Sequence, residues 1–401
     1  MNPQEKDAEI PAGTIPQGSP VSMSDREKWE AFCAGRNDMP DGFECHYDDA
    51  RGGLHLAKKV DQPMMCGWRT RRFRLDPGRY YRFSASVTST AYGFWEMQFF
   101  DAADATEPVD FFSSGYPDTC GTEREFEWFF CGKHLAQDCR LTIWPGAVGE
   151  SSLSQLQLRP ACDDEAWEWF KAHMKQLPPL PHEPQSDASC GTHVAGTRQK
   201  FEARSNGSVV DVASYGDSVG FDVGNLPLEL ALERACPGAS VHMHTRGKGS
   251  AGWDLLGEPA VLKERVLDID PDLLICLGVS TIPEDILTTL PSLVDAVRSG
   301  GDTEVILMTN HRGTGPENDE RGAEHWDACA DAVRQVAEQE DCELVDFRAV
   351  MKRLIGEARP PADRLRWFMR DSSCHLNTRG RAVVLELLLR HLAPDTTPTE
   401  L

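Results

Sequence analysis

The period of the apolar residues changes once along this chain, and the change falls at LPPLPHEPQ, residues 177–185. Proline fixes φ and removes a backbone donor, so four prolines in nine residues exclude a helix interior and a central strand there. Upstream the period is two. Tyr81, Phe83, Ala85 and Val87 alternate with polar residues, as do Trp95, Met97 and Phe99, then Phe126, Trp128 and Phe130, then Leu141 with Ile143 and Leu156 with Leu158. Such alternation predicts half-buried strands. With turn signals at Pro77-Gly78 and Pro145-Gly146, it predicts an antiparallel β-sandwich over residues 23–162. Residues 1–22, polar and aperiodic, read as a flexible leader.

Residues 163–204 read as an amphipathic helix, DDEAWEWFKAHMKQ, followed by the proline linker. Beyond it apolar runs alternate with helical segments. The runs are VVDVASY (209–215), SVHMHT (240–245), DLLICLG (272–278), TEVILMT (303–309) and CELVDF (342–347). The helices fall near 225–236, 258–267, 284–299, 321–340, 348–356 and 378–392. This succession predicts a parallel sheet covered on both faces over residues 205–392, and a short tail at 393–401. The 401 residues therefore hold two domains.

The formal charge of −23 argues against nucleic acid or an anionic membrane surface as partner. No segment approaches the roughly 18 apolar residues of a membrane span, and the N-terminus lacks a basic start and an apolar stretch, so a soluble, cytoplasmic protein is expected. The 13 cysteines are odd in number and contain no CxxC pair, which reads as reduced thiols.

In an open parallel sheet the reactive groups gather at the carboxyl ends of the strands. The first such loop is Gly216-Asp217-Ser218, which puts a serine hydroxyl between a strand and a helix, a nucleophile's position or merely a capped turn. The last loop is Asp371-Ser372-Ser373-Cys374-His375-Leu376-Asn377. A serine alcohol needs an imidazole to take its proton and something to orient that imidazole, roles that His375 and Asp371 fit. Cys374, beside them, reads as packing.

These ordered blocks resemble the SGNH, or GDSL, hydrolases over about residues 205–392. The resemblance implies a three-layer, flavodoxin-like α/β fold and a serine esterase that needs no cofactor. It makes Ser218 the nucleophile and His375 the base, with the Gly249 amide, or Gly252 as fallback, in the oxyanion hole. Two positions depart from the family pattern. Where its third block has Gly-x-Asn, this chain has Gly278-Val279-Ser280, so Ser280 or Asn310 would have to donate in place of the asparagine. The acid that normally lies three residues before the histidine is replaced by Ser372, which leaves His375 to be oriented by Asp371 or by a backbone carbonyl.

The sandwich resembles the carbohydrate-binding jelly rolls that accompany such esterases, pointing to a small-molecule or carbohydrate ester as substrate. Trp95 and Trp128 fall on the core phase, whereas Trp68 and Trp144 are less constrained. Rival functions are an O-acyltransferase and a glycan-binding protein with a decayed site. His242 and His244 share a strand face, but no carboxylate or third histidine is placed by the sequence to complete a metal site, and none is expected.

Overall fold

The computed structural model describes residues 21–394 except 35, 37, 63, 106–107, 134–135, 137, 176, 178–179, 181–189, 203–208, 280, 313–320, 358–367 and 370–374. Eleven strands occupy the first part: β1 (Val21–Ser22), β2 (Trp29–Cys33), β3 (Phe43–Asp48), β4 (Gly53–Lys58), β5 (Cys66–Thr70), β6 (Tyr80–Ser89), β7 (Gly93–Phe100), β8 (Asp110–Tyr116), β9 (Arg124–Cys131), β10 (Asp138–Pro145) and β11 (Gly149–Pro160). They form two antiparallel sheets. One has the order β3-β4-β11-β6-β9, with β1 also on β11, and the other β2-β5-β10-β7-β8. Val21 and Ser22, placed in the leader by the sequence, pair with Leu158 and Gln157.

The period-two residues all turn to one apolar cluster between these sheets. Phe83, Val87, Trp95, Met97, Phe99, Leu141, Ile143, Leu156 and Leu158 have no exposed surface, and Trp128 retains 5%. Trp68, unassigned by phase, is also buried there and donates its indole N–H to the His55 carbonyl at 3.0 Å. Alternation registers a residue's face but not whether the opposite face is covered, and β5 is buried at four of its five positions.

The second part carries β12 (Val209–Gly216), β13 (Ser240–Thr245), β14 (Leu273–Leu277), β15 (Glu304–Met308) and β16 (Glu343–Val345). All pair parallel, in the order β13-β12-β14-β15-β16. Renumbered within this part the order is 2-1-3-4-5, that of flavodoxin-like sheets, whose connections diverge between the first and third strands. The helices Pro283–Gly300 and Gly322–Gln339 cover one face, and the closing helix Thr378–Leu392 packs in the core of the other. The helix expected near 225–236 is Leu228–Ala235, and a further short helix, Gly220–Gly224, precedes it across Asn225-Leu226-Pro227. Helix thus begins almost at Ser218. The segment near 258–267 ends in a π-helical turn over Lys263–Leu267. No helix among the described residues is long and apolar enough to cross a membrane.

The two parts meet along an apolar and polar seam. Helix Asp163–Met174 and residues Tyr80, Phe129 and Cys131 of the antiparallel strands belong to the core of the parallel sheet. Edge strand β8 lies against the first loops of that sheet. Phe111 stacks edge-on against Phe221 with centroids 3.7 Å apart, Asp110 accepts from the Thr245 amide at 2.9 Å, and Lys133 donates to the Gly224 carbonyl at 2.9 Å.

Glu229 sits in this seam, accepting from the Tyr80 hydroxyl at 3.4 Å, and its carboxyl is pushed above the ordinary 4.5, chiefly by burial and against the pull of Lys133. A raised carboxyl contributes its stability fully below the unfolded value and loses it as pH rises through the folded one. Glu229→Gln, which cannot ionise, is therefore expected to gain stability relative to the parent as pH rises. Urea unfolding at pH 4.5 and pH 8 measures this, and a stability difference that moves in the parent's favour between the two pH values would show that Lys133 holds the carboxylate charged.

Candidate active site

Backbone contact fixes the shape of the first loop. A Cβ at Gly216 would stand 1.7 Å from the Leu277 carbonyl oxygen, so any side chain there would force β12 from β14. Asp217, fully buried, accepts from the Val219 amide at 2.9 Å and from the Val279 amide at 2.8 Å. One carboxylate thus closes the turn that presents Ser218 and ties it to the loop after β14, at the point where the connections diverge. The sequence marked Asp217 within its motif but gave it no task.

His375 enters from the far end of the chain. Its segment is held by an isolated bridge between Met369 and Leu376, by the Asn377 amide N–H donating to the Phe368 carbonyl at 3.0 Å, and by Asn377 as cap of the closing helix. Asn377 Oδ1 accepts from the amides of Arg379 and Gly380 at 2.9 and 3.1 Å. Between these anchors His375 Nε2 lies 3.0 Å from Ser218 Oγ, with both residues half-buried. The hydroxyl and the imidazole, 157 positions apart, are within hydrogen-bond reach.

A residue that sequence reasoning missed holds the two halves together. Asp222, one turn beyond Ser218, is buried to 1% exposure. Its Oδ2 accepts from the Leu376 amide, next to His375, at 2.9 Å. Its Oδ1 takes the Arg381 guanidinium, Nη2 at 2.6 Å and Nε at 3.1 Å, and Arg381 also donates to the Ser113 carbonyl of β8. The nucleophile's helix, the base's segment and the antiparallel sheet share this one buried ion pair. A lone acid in GFDVG and one of three arginines in the closing helix were its only sequence signal.

The remaining candidates are placed unevenly. Gly249 is exposed, and a Cβ there would meet nothing nearer than Phe221 Cε2 at 3.9 Å, which sets it at the same end of the sheet as Ser218. Gly247 makes the tighter approach, 2.4 Å from the Gly216 carbonyl oxygen to a Cβ built on it. Gly252 precedes the short helix Trp253–Leu256. Asn310 is buried and turns its amide to the Trp326 carbonyl at 3.4 Å. Asp371, Cys374 and Ser280 lie outside the described residues. The neighbours of Ser280 are pinned: Val279 by Asp217, and the Thr281 carbonyl by Arg321 at 3.0 Å and His325 Nε2 at 3.3 Å.

His242 and His244 do share a face, and the carboxylate that the sequence did not place is Asp211 of the neighbouring strand. His244 Nε2 lies 2.7 Å and His242 Nδ1 3.6 Å from Asp211 Oδ1. Which strand pairs with β13, and in what register, is not written in either segment alone.

No protein-family model and no curated protein matches this chain. Solved structures resemble it at low identity. A GDSL-like lipase from Parabacteroides merdae is 14% identical, with TM-score 0.38 over 46% of this chain and 95% of the other. An acetylxylan esterase from Geobacillus stearothermophilus is 19% identical, with TM-score 0.37 over 46% and 94%. An alpha/beta hydrolase from the metagenome of Lake Arreo is 20% identical, with TM-score 0.38 over 47% and 97%. The chemistry of this site stands on its own atoms.

Proposed function

We propose that the protein is a serine ester hydrolase acting on an O-acylated, hydroxyl-bearing substrate, with an acetyl ester of a carbohydrate as the leading candidate. The contact of 3.0 Å between Ser218 Oγ and His375 Nε2 carries this reading. His375 accepts the Ser218 proton as Oγ attacks the ester carbonyl carbon. The tetrahedral oxyanion is held by the amides of Ser218 and Gly249, with Ser280 in the place of the family's asparagine. Collapse releases the alcohol, which takes the proton from His375, and leaves the acyl group on Ser218. Water then attacks that acyl-enzyme, giving its proton to His375, and as the tetrahedral intermediate collapses His375 returns the proton to Ser218 Oγ and the free carboxylic acid leaves. Asp371 is the proposed orienter of the imidazole.

The carbohydrate half of the proposal draws on the antiparallel sheets. Eight strands run as β4-β11-β6-β9 and β5-β10-β7-β8, the interleaving of a jelly roll. On the outer face of the second sheet, Phe94 and Trp144 are register partners out of phase with the buried Trp95 and Ile143. Tyr92, Phe94 and Trp144 are half-buried and neighbour one another at 5.5 and 5.6 Å, the kind of ring surface on which sugars stack.

A fluorophosphonate probe tests the core of the reading, because it modifies only an activated serine. Stoichiometric labelling of Ser218, located by peptide mapping, is the expected result. An unlabelled but folded protein would favour the glycan-binding alternative.

A further inference from the structure

Asp211, His242 and His244 take no part in the ester chemistry above. We infer that they form a binding site for a divalent first-row transition metal of the Zn2+ type. Parallel pairing sets Asp211 opposite His242 and Ala213 opposite His244, so the three side chains rise from one face of β12 and β13. One donor atom from each lies within 4.8 Å of the other two. Bonds of roughly 2.0–2.1 Å to a tetrahedral metal separate its ligands by about 3.4 Å. The separations from Asp211 Oδ1, 2.7 Å to His244 and 3.6 Å to His242, bracket that value, so closing on an ion needs only small side-chain shifts.

Two imidazoles and one carboxylate are a borderline donor set, suited to Zn2+, Co2+ or Fe2+ and not to Ca2+ or Mg2+, which take oxygen ligands. His244 is almost fully buried at 5% side-chain exposure, while His242 at 27% and Asp211 at 35% leave an approach from solvent and room for water in the remaining positions. Metal binding would replace the His244 to Asp211 hydrogen bond, with neutral imidazole as the ligand.

A second cluster, Cys190, Glu343 and His391, meets the same distance criterion but is differently built. Glu343 there already accepts from the Gly191 and His193 amides at 2.7 and 3.0 Å and from His391, so its carboxylate serves the backbone.

The site is remote from the reaction. Six residues of β12 and its loop separate Asp211 from Ser218, and the five strand steps from Asp211 to Gly216 alone span about 16 Å. The metal would therefore clip edge strand β13 to β12 and not polarise the ester.

The test uses the full chain, stripped with chelator and titrated with Zn2+ by calorimetry and with Co2+ by absorbance. One equivalent should bind, without thiolate-to-cobalt charge-transfer bands, and Zn2+ should raise the melting temperature. His242→Ala, at a partly exposed position, should weaken binding by more than the roughly 10- to 100-fold typical of losing an outer-shell partner, with ester turnover unchanged. Asp211→Asn, which keeps the side chain's shape, should lose the Zn2+-dependent rise in melting temperature. Failure of the parent to bind, thiolate bands, or binding that survives both substitutions would overturn the assignment. Because labelling of Ser218 is read separately, neither result decides the other.

Discussion

Ser218→Ala should lower kcat for p-nitrophenyl acetate by about four orders of magnitude or more, with the fold and KM little changed. Removing the hydroxyl removes the atom proposed to form the acyl-enzyme, whereas Ser218 is half-buried and Ala fits any space that Ser fills. His375→Ala should cost a similar factor, because an unassisted alcohol at neutral pH is a poor nucleophile. The double variant separates this proposal from two independent contributions. Groups that act as one unit are grossly non-additive, so Ser218→Ala with His375→Ala should be hardly slower than either alone. Turnover that persists in Ser218→Ala, or losses that multiply in the double variant, would remove the basis of the mechanism.

The parts of the molecule legible in the sequence are those set by local period. Five apolar runs became β12 to β16 within a residue or two, and the period-two residues from Tyr81 to Leu158 converge on one core. That Ser218 meets His375 was legible only through the order of blocks, since no local rule links positions so distant. What was not legible depends on burial and register across elements. Asp222 has no marked role in the sequence and gains one only when the closing helix brings Arg381 onto it. Asp211 is one polar position in VVDVASY with no marked role until β13 sets two imidazoles beside it. The short helix Gly220–Gly224, directly after the serine, is five residues long and too short to show a helical period.

The ion pair of Asp222 with Arg381 makes the second large prediction. Both side chains are at least 95% buried, so removing one leaves an uncompensated charge in the seam. Arg381→Met is expected to cost about 3–5 kcal/mol in urea unfolding, since Asp222 would lose its guanidinium and the Ser113 carbonyl its donor. Asp222→Asn is the more informative change. It keeps an oxygen for the Leu376 amide but removes the charge that holds Arg381, so it should also destabilise. Its particular signature lies in the kinetics. Asp222 accepts from the amide of Leu376, next to the base, and acts as a positioning residue through that backbone. A displaced base slows proton transfer in both acylation and deacylation while leaving the substrate's own contacts in place, so kcat should fall with KM nearly constant and the pH profile of kcat/KM should shift. Asp222→Glu, which restores the charge on a longer arm, should recover stability more fully than rate. A variant that unfolds more easily yet turns over with the parent's kcat and pH profile would confine Asp222 to holding the seam.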